Sequence, residues 1–373
     1  MVDLISFWYL LASFEVLLFS SYTMITYVYS RRLNQLPKTE KLLSITLIIP
    51  MYNEEKVIKE KIENTAQLDY PKDKMKVVIL DDHSTDDSKK ISLRAIEEES
   101  LNAKVIESEG GKGKARALNW LFQSLETDIT VISDADALLN EDSLLQISKN
   151  FADPEVGGAT GKIVIASDKE RFSKSQEESY RFFFDIWRLG ESNIRSVSIC
   201  NGPLMSFRTD ILKRIEIDPD AYADDSDMFF KIIRLGYRAI YDPKAIVFER
   251  VPLSVRGRLV QKMKRINGLR RVYIKNLDLL GKGLFGSIIY PYALLINIIS
   301  PLVLLFIILL FPLIAFKNPL YVGLIVFFFI PRLGETLRSF IITQLIMNFS
   351  FLVPTSGSWN AIEDARYDLK PDQ

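Results

Sequence analysis

Apolar residues gather at the two ends of the chain and alternate with polar ones only between those ends. Leu4 to Ser30 carries a single charge, Glu15. As a helix rising about 1.5 Å per residue, it is long enough to cross a hydrocarbon core of roughly 30 Å. No basic stretch precedes it and no small-x-small cleavage site is evident, so it reads as a spanning helix rather than a removed signal. Arg31, Arg32, Lys38 and Lys41 come next. Excess positive charge marks the cytoplasmic side, which puts the N-terminus outside and the following chain inside. Glu15 faces either a partner within a bundle or, if the helix tilts, the interface. Leu284 to Phe316 is uncharged and longer than one crossing needs. The pattern predicts one tilted spanning helix with an interfacial lead-in, kinked at Pro291, Pro301 and Pro312. Asn318–Pro331 and Phe340–Val353 are shorter apolar runs separated by Arg332, Glu335 and Arg338. They read as two short spans, or as one span and one re-entrant or surface helix, for three or four membrane segments in all. The polar tail Ser356–Gln373 is expected back in the cytoplasm, which favours an odd number of crossings.

Between these ends, strand and helix alternate. Ile45–Ile49, Val77–Leu80 and Ile129–Ile132 are short aliphatic runs suited to buried parallel strands. Glu54–Leu68, Asp86–Glu99 and Lys114–Leu125 read as the helices between them. This is the signature of an open α/β sheet, whose ligands bind beyond the carboxyl ends of the strands.

Polar groups stand at those ends. The first strand runs into Pro50-Met51-Tyr52-Asn53-Glu54-Glu55, and the second into Asp81-Asp82-His83-Ser84-Thr85-Asp86. Asn53, Ser84 and Thr85 would also serve as plain helix caps. Ser133-Asp134-Ala135-Asp136 places two carboxylates after a buried strand, a donor set suited to Mg²⁺ or Mn²⁺ completed by phosphates and water. A simple turn explains Asp-Ala-Asp equally well. Gly110-Gly111-Lys112-Gly113-Lys114 opens a helix with glycines and cations, as phosphate binding favours, although the P-loop spacing is missing. Asp224-Asp225-Ser226-Asp227 begins the helical run Met228–Leu235, closed by Gly236. Acids at a helix start are favoured by the dipole. Crowded carboxylates also repel, and a raised carboxyl is what a general base needs. Arg256 to Lys275 contains eight basic residues and no acids, with Leu259, Val260, Met263, Ile266, Leu269 and Val272 at helical spacing. It reads as an amphipathic helix attracted to anionic headgroups, or as a solvated basic face.

Composition narrows the reading. Lys and Arg balance Asp and Glu at 47 each, so charge gives no support for nucleic acid as a partner. One cysteine, Cys200, excludes an internal disulfide and fits a reducing compartment. One histidine, His83, leaves any metal to be held mainly by oxygen.

The ordered set resembles the inverting glycosyltransferases of family 2, in the membrane group with cellulose, hyaluronan and chitin synthases. The resemblance spans roughly residues 44–275. It is carried by Ile49-Pro50-Met51-Tyr52-Asn53-Glu54, Asp69-Tyr70-Pro71, Leu80 to Asp86, Gly113 to Asn119, Asp134-Ala135-Asp136, Asn201-Gly202 with Phe207-Arg208, and Asp224 to Asp227. It implies a GT-A fold, a Rossmann-like α/β domain flanked by transmembrane helices. By the same motifs, Pro50, Tyr52, Glu54, Asp82, Lys114 and Asp134 would face the nucleotide-sugar donor. Asp136 would hold Mg²⁺ or Mn²⁺, Asp225 would be the catalytic base, and Asn201, Gly202 and Asp224 would lie on the acceptor side. Asp224 stands where glutamate is commoner, and His83 where glycine or serine is common. The processive synthases carry Gln-x-x-Arg-Trp on an interfacial helix. Here the stretch is Gln261-Lys262-Met263-Lys264-Arg265, so Gln261 and Lys264 would meet the diphosphate while the aromatic acceptor platform is gone. That departure favours addition of one or a few sugars over a long polymer.

The expected organisation is a transmembrane helix over 1–30, a GT-A domain over 31–250 and a basic interfacial region over 251–283. A transmembrane region over 284–355 and a tail over 356–373 complete it. The expected enzyme is a multi-pass cell-membrane protein with its catalytic domain in the cytoplasm. Its donor is UDP-linked and its acceptor is a lipid-linked or membrane-proximal glycan. The competing readings are a processive polysaccharide synthase, an inactive nucleotide-sugar-binding scaffold, and a transporter with a regulatory domain.

Overall fold

The computed structural model describes residues 3–32, 42–165, 171–219, 223–252, 254–330 and 333–351. Lys38, Lys41, Tyr222, Arg332, Val353 and the tail Ser356–Gln373 lie outside these residues. Two compact units divide the chain.

The sheet unit takes in the described residues of 42–165 and 195–258. Its strands are β1 (Ile45–Met51), β2 (Met75–Asp81), β3 (Ala103–Glu107), β4 (Ile129–Ile132), β5 (Ala137–Leu139), β6 (Val156–Ile165), β7 (Met205–Arg208) and β8 (Arg238–Glu249). They form one sheet in the order β3-β2-β1-β4-β7-β6-β8-β5. The first four are parallel, in register from Ile45 opposite Met75 to Met51 opposite Asp81, and from Ile45 opposite Ile129 to Ile48 opposite Ile132. β1 and β4 are buried along their whole length, which accounts for continuous aliphatic runs rather than alternation. The other half is mixed. β7 runs antiparallel to β4 and β6, β8 lies parallel to β6, and β5 closes the edge antiparallel to β8.

The order forces the sheet to curl. β4 and β5 stand four places apart, about 19 Å in a flat sheet at the usual strand spacing. Only residues 133–136 join them, and these are folded into a turn closed by the Ala137 amide donating to the Asp134 carbonyl at 3.2 Å. The outer strand must therefore swing back toward β4. The core fills the fold with Ile45, Leu47, Ile49, Ile62, Val77, Ile129, Val131, Leu144 and Val247, all nearly inaccessible to solvent.

The helices expected between the strands are present but shorter: Ile58–Ala66, Ser88–Glu98 and Lys114–Phe122. Tight turns take most of the difference at the starts of the first two, where Asn53 (φ 55°) and His83 (φ 60°) adopt left-handed backbone, while the third begins as read and ends earlier. At His83 that conformation is one a glycine would adopt without strain. The last helix of this unit, Asp224–Arg234, ends as read, with Gly236 at φ 90°.

The apolar unit takes in the described residues of 3–32, 171–194, 259–330 and 333–351. The helix Arg171–Ile194 belongs here. It falls within the expected 31–250 span but groups with the apolar unit, for a packing reason. Gly190 meets the backbone of Thr26 so closely that a Cβ would lie 2.3 Å from its carbonyl oxygen. The Tyr22 hydroxyl donates to Glu191, and the Trp187 indole donates to Thr23 at 3.1 Å. Among the described residues two helices, Leu4–Ser30 and Phe285–Lys317, are long and apolar enough to cross a bilayer. The second contains two π-helical turns, Phe285–Ile289 and Leu295–Ile299, around Pro291 and before Pro301, which accommodate the missing amide donors. Glu15 is buried and accepts from the Ser300 hydroxyl at 2.8 Å, the bundle alternative of the two readings. Pro319–Phe329 is a 3₁₀ helix rather than a short α-helical span. Leu333–Ser350 is one helix that contains Glu335 and Arg338 instead of being separated by them.

The basic helix runs from Val255 to Lys275. Arg270 departs from a headgroup-facing role. It is 4% exposed, donates to Asn297, Met347 and Ser350, and lies 3.5 Å from the Phe351 ring centre. Gln261 and Lys264 sit three residues apart on this helix and belong to the apolar unit.

Candidate active site

Three parallel strands deliver their ends to one edge of the sheet. β1 ends at Met51, so Pro50, Tyr52 and Glu54 fall at its carboxyl end. Glu54 is buried and its amide is capped by the Ser88 hydroxyl at 2.7 Å. β2 ends in Asp81, directly opposite Met51. Asp82 follows and is bound through its own amide to the Met51 carbonyl at 2.8 Å. Its carboxylate accepts from the Gly113 amide at 2.8 and 3.1 Å. Burial pushes the Asp82 carboxyl up, with the Gly113 amide opposing. Gly113 can donate there because its φ is 116°, a conformation a side chain rarely adopts.

Gly113 hands over to the helix Lys114–Phe122. The Lys114 ammonium lies 2.8 Å from Asp134 and 3.9 Å from Asp224. Burial disfavours its charge, but Asp134, Asp224 and Asp225 outweigh that and hold the ammonium well above its usual range. One cation thus joins the turn after β4 to the start of the helix Asp224–Arg234. The crowding of acids at that helix start is met by cations: Lys114 beside Asp224, and Lys231 2.7 Å from Asp227.

Asp225 accepts from the Ser226 amide at 2.6 Å. Opposite it is Asn201-Gly202. Asn201 is buried, donating from its side chain to the Gly161 carbonyl at 2.7 Å and from its amide to Thr160 at 3.0 Å. A Cβ on Gly202 would lie 3.2 Å from an Asp225 carboxylate oxygen, so only glycine leaves that carboxylate undisturbed.

Asp136 lies on the same β4–β5 turn, two residues after Asp134. Its carbonyl accepts from the buried Arg250 at 2.5 Å, and Arg250 also pairs with Glu60. Among the described residues no three His, Cys, Asp or Glu side chains form a ready-made metal cage. The oxygen donors of the Asp134–Asp136 turn nevertheless fit a hard divalent cation, which takes one or two carboxylates and completes its shell from phosphates and water.

Two features were missed in the sequence. Lys61 is completely buried and donates to the Ser133 hydroxyl at 2.7 Å and to the Ala137 carbonyl at 2.6 Å. Arg250, just past β8, is 1% exposed. The signal for Lys61 is a lysine on the inward stripe Ile58, Ile62 and Thr65 of its helix.

Parallel strands, a curled mixed extension and acids converging at the strand ends define a GT-A-like glycosyltransferase fold. Residues 46–215 match the Glycosyl transferase family 2 model, and the chain carries a domain of that family. Over 248 residues it is 24% identical to the poly-beta-1,6-N-acetyl-D-glucosamine synthase of Staphylococcus aureus (strain COL), covering 65% of this chain and 59% of that protein. Over 234 residues it is 22% identical to the synthase of the same name from Staphylococcus epidermidis, covering 62% of this chain and 56% of that protein. The chain therefore spans less than two thirds of the length of these relatives. Among solved structures it resembles the mannosyltransferase PcManGT from Pyrobaculum calidifontis, in complex with GDP-Man and Mn²⁺. That match has a TM-score of 0.72 and 28% identity, and covers 92% of this chain and 98% of that one.

Proposed function

We propose that the chain is a membrane-bound, metal-dependent inverting glycosyltransferase, moving a sugar from a nucleoside-diphosphate donor to a hydroxyl acceptor at the bilayer. The observation that carries this is the Lys114 ammonium, shared between Asp134 at 2.8 Å and Asp224 at 3.9 Å. It joins the donor-side turn to the helix whose second residue is the proposed base.

In this reading Pro50, Tyr52, Glu54 and Asp82 hold the nucleoside, and Lys114 and Asp134 lie beside the diphosphate. A divalent ion held by Asp136 and the donor phosphates would neutralise charge on the leaving group. Asp225 takes the proton from the acceptor hydroxyl. The acceptor oxygen bonds to the anomeric carbon as the bond to the diphosphate oxygen breaks, and the nucleoside diphosphate departs with that electron pair. One displacement inverts the anomeric centre. Asn201 and Gly202 border the acceptor side with Asp224.

Two long apolar helices support a membrane location, and a lipid-linked acceptor ranks first because such an acceptor is delivered at the headgroups. The donor base is open between uridine, expected from the resemblance, and guanosine, supported by the GDP-Man in PcManGT. The synthase relatives favour a second reading, processive polymer formation. The test incubates the full chain with labelled UDP-GlcNAc and GDP-mannose, native lipid extract, and Mn²⁺ or EDTA. Metal-dependent label in lipid, absent with Asp225→Asn, supports the proposal, and long products select the processive reading. Label that persists with Asp225→Asn refutes the base assignment.

A further inference from the structure

Burying an ammonium costs several kcal/mol unless its surroundings compensate. Lys61 is fully buried, yet its hydrogen bonds go only to neutral oxygens, those of Ser133 and Ala137. These two residues bracket Asp134-Ala135-Asp136. Ser133 passes the contact on, its hydroxyl donating to the Pro203 carbonyl at 2.9 Å, next to the Gly202 that faces Asp225.

The neighbouring turn of the same helix extends the pattern. Asn64 donates to the Leu139 carbonyl and accepts from the Leu139 amide, both at 2.8 Å. With these contacts two side chains of one helix splint the free edge of β5, as a neighbouring strand would. Arg250 adds a second buried cation, on the Asp136 carbonyl. The turn that bears the carboxylates is thus held through its backbone and Ser133. Of its two acids, Asp134 is drawn to Lys114.

We propose that Lys61 is a positioning residue for the divalent metal, fixing both ends of the Asp134–Asp136 turn from the buried side so that Asp136 meets the cation without rearrangement. The inference rests on the assignment of Asp136 to the metal. Residues one step behind a metal ligand typically change metal affinity about 10–100-fold when replaced.

The test is a double-mutant cycle on the full chain, with calorimetric titration of Mn²⁺ in the presence of UDP or GDP. Lys61→Met should weaken apparent Mn²⁺ affinity about 10–100-fold and leave nucleotide binding in EDTA unchanged. In turnover it should raise the Mn²⁺ requirement more than it lowers the rate at saturating Mn²⁺. In an Asp136→Ala background it should add less than about 2-fold, since a residue acting through Asp136 has nothing left to position. Lys61→Gln, which keeps a donor and loses the charge, enters the same cycle should Lys61→Met not fold. Wild-type Mn²⁺ affinity in the Lys61 variant, or losses that multiply with those of Asp136→Ala, overturns the proposal. Wild-type affinity in Asp136→Ala alone removes the metal assignment, and the proposal with it.

Discussion

Replacing Lys61 by methionine has a second consequence, legible in stability rather than in binding. Burial lowers the Lys61 ammonium from 10.5 to about 7, against the pull of Asp134 and Asp136. Between these two values the unfolded chain binds a proton that the folded chain does not. Stability therefore rises with pH across that window, and the gain is complete above pH 10.5. At about 1.4 kcal/mol per unit of pKa, the step from pH 7 to pH 9 is worth roughly 2 kcal/mol to the wild type and nothing to Lys61→Met. For a unit of about 200 residues that corresponds to roughly 4–8 °C in the unfolding midpoint. Loss of the hydrogen bonds to Ser133 and Ala137 adds a constant offset, independent of pH. Lys114 is present in both proteins, so its titration cancels in the difference. The assay is thermal unfolding in detergent and EDTA at pH 7, 8 and 9, followed by tryptophan fluorescence, with Trp120 in the same unit as Lys61. The wild-type midpoint minus that of Lys61→Met should climb with pH. A difference constant to within a degree would show that Lys61 is not held in the state the burial dictates.

Three further outcomes are expected. Gly202→Ala places a methyl carbon 3.2 Å from the Asp225 carboxylate and pushes it by a few tenths of an ångström, so turnover should fall about 10-fold with donor affinity unchanged. Equal losses in both would place Gly202 elsewhere in the reaction. Gly113→Ala meets no neighbouring atom, but its φ of 116° should cost about 1–3 kcal/mol and weaken nucleotide binding through Asp82; calorimetry with UDP or GDP checks this. Asp225→Asn should retain Mn²⁺-dependent nucleotide binding while transfer drops about 10²–10⁴-fold, measured by label in product.

The sequence was most legible where one strand or helix carries its own pattern. The aliphatic runs at Ile45–Ile49 and Ile129–Ile132 marked buried parallel strands, and the polar residues after them lie at the carboxyl edge as that topology requires. Lys114, Asp134, Asp224 and Asp225 were each legible as acids or cations at element ends. Their meeting followed only from the family resemblance and from no local pattern, because it depends on the curl of the mixed half-sheet. Lys61 and Arg250 escaped notice for a related reason. A lone charge on an apolar stripe acquires meaning only when the oxygen it serves arrives from another part of the chain. The departure of Arg171–Ile194 from the sheet unit was hidden too, since Gly190 against Thr26 is a fit between distant segments.

The pairing of β5 with β8 sets an order of events during synthesis. Ala137 lies opposite Glu249, so the turn carrying Asp134 and Asp136 gains its outer support only after more than a hundred further residues have left the ribosome. A nascent chain ending near residue 215 already displays every motif proposed above for the nucleoside and the whole of the family match. It still lacks Asp225, Arg250 and the strand that anchors β5. Such a fragment, expressed alone, should present an unsupported edge to chaperones, and cation-assisted nucleotide capture should appear abruptly once translation passes Arg250.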